Sequence, residues 1–277
     1  MEPTFQVLPP DRQPPPPKKS FFESLGAGAV AIGVAFLKFK YLLFASFKTG
    51  FSMLIMIWFY SWRFGWPFAA GLVFLILVHE MGHVCAAKWR GMPVTAPLFI
   101  PFIGAFILMK DNPRDAWTEA LVAYGGPLFG CIGSWICLFV GLNMQAEWVI
   151  GVASVSFILN LFNMIPVPPL DGGRICASVS TWFWLVGLVL LGLSLFYFHS
   201  WSSIVIIGLL LFYAVPRIKA AFVDRGTPEM QAYYATHISD RLTMALMYVG
   251  LIAALLLGYW DASTHLSYIL DQGPTIQ

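Results

Sequence analysis

Two histidines and a glutamate stand together in LVHEMGH, residues 77–83. His79 and His83 are four residues apart, so on a helix they share one face and can bind one metal ion. Glu80 follows the first of them, placed to take a proton from water activated at that metal. This is the arrangement of metal-assisted hydrolysis with zinc. A catalytic zinc site takes three protein ligands and leaves a fourth position open. The motif recurs by chance in soluble chains, where it carries little. Here it lies in FAAGLVFLILVHEMGHVCAA, a run that otherwise reads as membrane. A charged group at that depth costs about 3 kcal/mol, so such groups are rare there and mark function.

A third ligand is expected to be another polar residue in an apolar setting. Asp171, in PVPPLDGGR (166–174), is the best candidate. Prolines before it stop the preceding helix, and two glycines after it permit a tight turn that returns its carboxylate to the metal. The competing reading is a solvated loop acid. Cys85 is near in sequence, but two residues past His83 it faces away on a helix. His199 and His265 read as interfacial residues near Trp201 and Tyr268, and His237 falls in a polar stretch.

The elements that must position these groups belong to a membrane protein. Of 277 residues, 58% are hydrophobic and 11% charged, with a mean hydropathy of +0.74; soluble domains carry about 25% charged residues. A net charge of +2 gives no reason to expect a nucleic-acid partner. The four cysteines, Cys85, Cys131, Cys137 and Cys176, lie in apolar segments without a CxxC pair and read as small buried hydrophobes, not a disulfide framework.

The expected fold is an all-α multi-span bundle. Residues 1–20 (MEPTFQVLPPDRQPPPPKKS) read as a disordered proline-rich tail and lack the apolar core of a signal peptide. Residues 20–40 suggest an amphipathic interfacial helix. Seven spans are expected, at about 41–62, 67–88, 115–142, 147–165, 176–198, 202–216 and 242–260. Asp115 and Glu119 suit the positive end of the third. Gly125-Gly126-Pro127 inside it predicts a kink or a close backbone approach. MPVTAPLFIPFIGAFILM (92–109) has three prolines and a glycine. It fits a re-entrant extended segment or hairpin, tolerated at that depth only where protein or a watery cavity satisfies its backbone. Residues 21–277 read as one transmembrane domain. Lysines and arginines concentrate in the tail and at 88–114, 166–174 and 217–241. That places the N-terminus and the motif toward the cytoplasm.

The combination resembles the site-2 protease family, the membrane-embedded zinc metalloproteases of peptidase family M50. HEMGH (79–83) and NMIPVPPLDGG (163–173) carry the resemblance; the second matches the family's Asn-x-x-Pro-x-x-x-Leu-Asp-Gly pattern. Gly125-Gly126-Pro127 is similar to its glycine–proline element. The likeness spans a core of about 65–175. It implies one zinc ion held by His79, His83 and Asp171, with Glu80 as general base. It implies that Asn163 contacts the substrate backbone or the developing oxyanion. It also implies an extended edge at 92–109 that holds an unwound substrate. The activity implied is intramembrane endopeptidase cleavage of membrane-spanning proteins, as in regulated intramembrane proteolysis. Many relatives carry a PDZ or CBS domain, and these residues encode neither. A bacterial inner membrane is the expected location. A metal transporter or a non-catalytic metal-dependent scaffold is the alternative, since intramembrane His and Asp also line ion paths.

Overall fold

The computed structural model describes residues 21–101, 104–106, 112–197 and 201–272. The proline-rich tail and His199 lie outside them. Two compact units are distinguished, residues 1–47 and 48–277. In the first, the described residues are helical from Phe21 onward, as part of α1 (Phe21–Phe64). No helix end separates the expected interfacial segment from the expected first span at residue 41. Neither a proline nor a glycine stands there to make one.

In the second unit, α2 (Trp66–Trp89) starts after Gly65, whose φ of 81° suits glycine, with Pro67 in its first turn. A hairpin of β1 (Leu98–Ile100) and β2 (Gly104–Phe106) follows. It is antiparallel, with Phe99 opposite Ala105. The extended segment expected at 92–109 is thus a β-hairpin in its described part. Its outer β1 edge is taken up by α1: Ser52 Oγ accepts from the Phe99 N–H at 3.2 Å, and Thr49 Oγ1 donates to the Pro97 carbonyl at 2.7 Å.

Asp115 caps α3 (Ala116–Met144), accepting from the Thr118 N–H at 2.6 Å. The helix runs through Pro127, and the glycines beside it serve close approach. A Cβ on Gly125 would stand 2.8 Å from the Ala86 Cβ and would overlap the Gly82 carbonyl; one on Gly82 would overlap the Gly125 carbonyl. α2 and α3 therefore touch backbone to backbone, which only glycine permits. α4 (Glu147–Asn163) packs on α3 and ends before the proline-rich turn.

That turn is braced from several sides. The Tyr248 hydroxyl donates to the Met164 carbonyl, and Gly187 packs against Pro166. α5 (Asp171–Val179) begins at Asp171 itself. Gly172 and Gly173 pack so closely on Met164 and Val167 that side chains there would collide, and Trp184 Nε1 donates to the Gly173 carbonyl at 2.7 Å. α6 (Phe183–Tyr197), α7 (Trp201–Val223), α8 (Pro228–Tyr233) and α9 (Ile238–Gln272) follow among the described residues. The main core lies between α3, α4, α5 and α9, around Phe157, Ile150, Leu138 and Leu255.

Four described helices are long and apolar enough to cross a membrane: Trp66–Trp89, Ala116–Met144, Ser203–Val223 and Ile238–Tyr268. Glu147–Asn163 and Phe183–Ser194 are apolar but shorter. Seven spans are thus an expectation that helix length does not confirm. The segment expected at 176–198 is divided at 180–182, where Ser180 turns extended (φ −165°, ψ 131°). The expected end at Pro216 is passed as well, because α7 continues to Val223.

Candidate metal centre

α2 carries His79 and His83 one turn apart, and α5 brings Asp171 back to them. The two Nε2 atoms are 3.1 Å apart. Asp171 Oδ2 lies 3.2 Å from His79 Nε2 and 3.3 Å from His83 Nε2. Among the described residues, these three form the group of donors able to hold a metal ion. A tetrahedral zinc with ligands at about 2.0–2.1 Å spaces its donors by about 3.3 Å. The triangle has those edges, so its two nitrogens and one carboxylate oxygen fit such an ion.

The hydrogen bonds behind the imidazoles aim them. His83 Nδ1 is 2.8 Å from the Val122 carbonyl, which can only accept. Nδ1 of His83 therefore carries a proton, and the Nε2 lone pair is free to face the centre. His79 Nδ1 meets Asn160 Oδ1 at 2.9 Å, and Asn160 Nδ2 donates to the Ser156 carbonyl at 2.8 Å. That second bond fixes the amide with its oxygen toward His79, so His79 also donates from Nδ1. Two lone pairs and a carboxylate thus converge without a proton between them in the neutral state, an arrangement that a cation satisfies.

The surroundings are tight. His79, Asp171 and Asn160 are 7%, 7% and 3% exposed. Glu80 is 6% exposed and lies within electrostatic reach of His79, His83, Asp171 and Arg174. Gly126 supplies the space: a Cβ there would stand 2.8 Å from His79 Nε2 and overlap His83 Nε2.

Behind Asp171 lies a buried charge network. Arg174, one turn along α5, has Nη1 3.8 Å from Asp171 Oδ1 and donates through Nε to Glu119 Oε1 at 3.1 Å. Glu119 also accepts from Arg217 of α7 and, at 2.6 Å, from the Tyr233 hydroxyl of α8. Burial pushes the Tyr233 phenol up and the Glu119 carboxylate pushes it further, so it stays a donor. Glu119 is therefore a buried anchor and not simply an acid suited to a helix dipole. Arg174 and Arg217, which the sequence offers as loop cations, are committed to it.

Residues 67–151 and 147–184 match peptidase family M50. Over these residues the chain is similar to peptidase family M50. Among curated proteins, zinc metalloprotease MJ0392 of Methanocaldococcus jannaschii is 30% identical over 109 residues, covering 38% of this chain and 31% of the relative. A Synechocystis sp. protein, sll0528, whose name carries the words zinc metalloprotease, is 30% identical over 131 residues, covering 42% and 33%. The chain spans about a third of the length of the curated relatives it matches.

All the site residues read from the sequence lie within the matched residues. Asn163 is the last residue of α4 and partly buried; the bond to His79 belongs to Asn160, one turn earlier. Asn160 escaped the sequence reading, although an amide in SFILNLF is the same kind of signal as His79 in its own apolar run. Cys85 is exposed and stands outside the donor group. His265 faces Asp261 and His237 faces Ser239.

Proposed function

We propose that the chain is a membrane-embedded zinc metalloendopeptidase. It hydrolyses peptide bonds in or near the transmembrane segments of protein substrates, as in regulated intramembrane proteolysis. The observation that carries the reading is the triangle of His79, His83 and Asp171 with Glu80 beside it, its two histidines on α2, a helix long and apolar enough for a bilayer. The names of the relatives point to the same chemistry.

His79, His83 and Asp171 would hold the zinc ion. When bound, zinc supplies a Lewis acid that brings the pKa of water toward about 7. Glu80 takes the proton of the attacking water and passes it to the departing amine nitrogen, since burial keeps bulk water from competing for it. Asn163, at the end of α4, donates its amide to the developing oxyanion. A helical substrate hides its peptide bonds, so it must be drawn out before attack. The hairpin offers an edge for this by strand addition. With the outer edge of β1 bonded to Ser52 and Thr49, the outer edge of β2 receives the substrate. The N-terminus faces the cytoplasm, and a bacterial inner membrane is the setting this reading assigns.

The test begins with the purified full chain. Wild type is expected to hold about one zinc per chain, Asp171→Ala much less, and Glu80→Gln an undiminished amount without cleavage of a membrane-protein substrate. A folded wild type that takes up no zinc when it is supplied would sink the reading. Zinc flux into proteoliposomes, abolished by His79→Ala, would replace it with a transporter.

A further inference from the structure

We infer that Asn160 is a positioning residue that sets the tautomer and ring angle of His79 for metal binding. This rests on the zinc reading above, and it assigns work to a residue outside both motifs. Three observations carry it. Asn160 is 3% exposed, with its Oδ1 2.9 Å from His79 Nδ1, on the far side of the ring from the donor triangle. Its Nδ2 is committed to the Ser156 carbonyl at 2.8 Å, so the amide cannot turn and offer a proton to the histidine. Gly130 of α3 then closes the space around it: a Cβ on Gly130 would stand 2.7 Å from Asn160 Nδ2 and overlap Oδ1. An apolar interior excludes a polar side chain unless it is bonded, so the amide has been placed and held there.

The consequence follows from imidazole chemistry. A neutral ring carries one N–H, and whichever nitrogen keeps it cannot bind metal. Asn160 holds that proton on Nδ1 and leaves Nε2 as the donor. On α2, His83 obtains the same service from the Val122 carbonyl, a backbone group that no substitution removes. His79 depends on a side chain, so its half of the site is the one that sequence change can loosen. Loss of such outer partners typically weakens metal binding about 10–100-fold.

The experiment measures zinc affinity of the full-length protein in detergent by competition with a chromogenic chelator, with metal-free melting temperature recorded beside it. Asn160→Leu keeps the volume and removes the acceptor; it is expected to weaken zinc about 10–100-fold. Asn160→Asp keeps an acceptor facing His79 and is expected to bind zinc within about threefold of wild type, the rescue a packing role would not give. Should Asn160→Leu fail to fold, Asn160→Ser, too short to reach the ring, takes its place with the same expected loss. Wild-type zinc binding with an unchanged affinity in Asn160→Leu or Asn160→Ser overturns the inference and leaves the zinc reading standing. Equal loss in Asn160→Asp also overturns it. A wild type that binds no zinc removes the zinc reading itself.

Discussion

Gly126 on α3 lies against the ring of His83 on α2, so close that a single methyl group would overlap Nε2. The metal site is bounded on that side by the absence of a side chain. Gly126→Ala should displace both imidazoles and weaken zinc binding by more than the roughly 10–100-fold that loss of an outer partner costs. Overpacking should also lower stability by about 1–3 kcal/mol. Chelator competition and thermal unfolding measure the two effects, and near-wild-type zinc affinity in this variant would show that the site can move aside.

Removing the Asp171 carboxylate should separate metal binding from folding. Asp171→Asn keeps the shape and loses the charge, so zinc affinity should fall by two orders of magnitude or more, beyond the outer-partner range. Stripping zinc from wild type with a chelator should lower its melting temperature, because ligand bound only to the folded state stabilises it. The same chelator should leave the melting temperature of Asp171→Asn unchanged. A chelator-induced drop of equal size in both would place the stabilising metal elsewhere.

Glu119 joins α3 to α5, α7 and α8 through Arg174, Arg217 and Tyr233. Glu119→Ala leaves two guanidinium groups without their shared partner and should cost about 3 kcal/mol, toward the lower end for a broken buried pair because Arg217 is partly exposed. Replacing Arg217 as well should return part of that loss. Unfolding followed by tryptophan fluorescence would measure both, and a double variant no better than the single would argue against charge as the cause.

The cap of α3 predicts a dependence on acid. Burial pushes the Asp115 carboxyl up, but hydrogen bonds from Thr118 and the Arg114 and Arg90 charges outweigh that and hold it below its ordinary value. Its contribution is therefore present above the unfolded pKa of about 3.9 and is lost as pH falls through the lower folded value. Asp115→Ala should cost about 1 kcal/mol at neutral pH. The gap from wild type should shrink below pH 4, and a gap that stays constant down to pH 2.5 would contradict the assignment.

The candidate site residues stand out in the sequence because each breaks a rule of its setting. His79, Glu80 and His83 are polar in an apolar helix, and Asp171 follows a proline run that forces the chain to turn. The extended segment that holds β1 and β2 was legible for the same reason, since its prolines disfavour a helix. Asn160 was not, because an amide costs less in an apolar run than a charge and stands out less. Glu119 was read only as a first-turn acid suited to the helix dipole, since nothing nearby in the chain reveals that Arg174, Arg217 and Tyr233 will meet around it. The expected span boundaries differ from the helices where Ser180 separates α5 from α6 and where α7 runs on through Pro216. Tertiary packing decides both, and residue composition is blind to it.

The donors come from opposite ends of the core, two from α2 and the third from α5 after α3 and α4 have intervened. During synthesis, a chain that has delivered α2 owns an imidazole pair and a glutamate but no carboxylate to complete the triangle. Assembly is thus ordered in time: the membrane receives an incomplete centre first. The last donor arrives only when the proline turn, held by Tyr248 and Trp184, has docked. A nascent or truncated chain lacking that turn holds two of the three donors and cannot close the triangle.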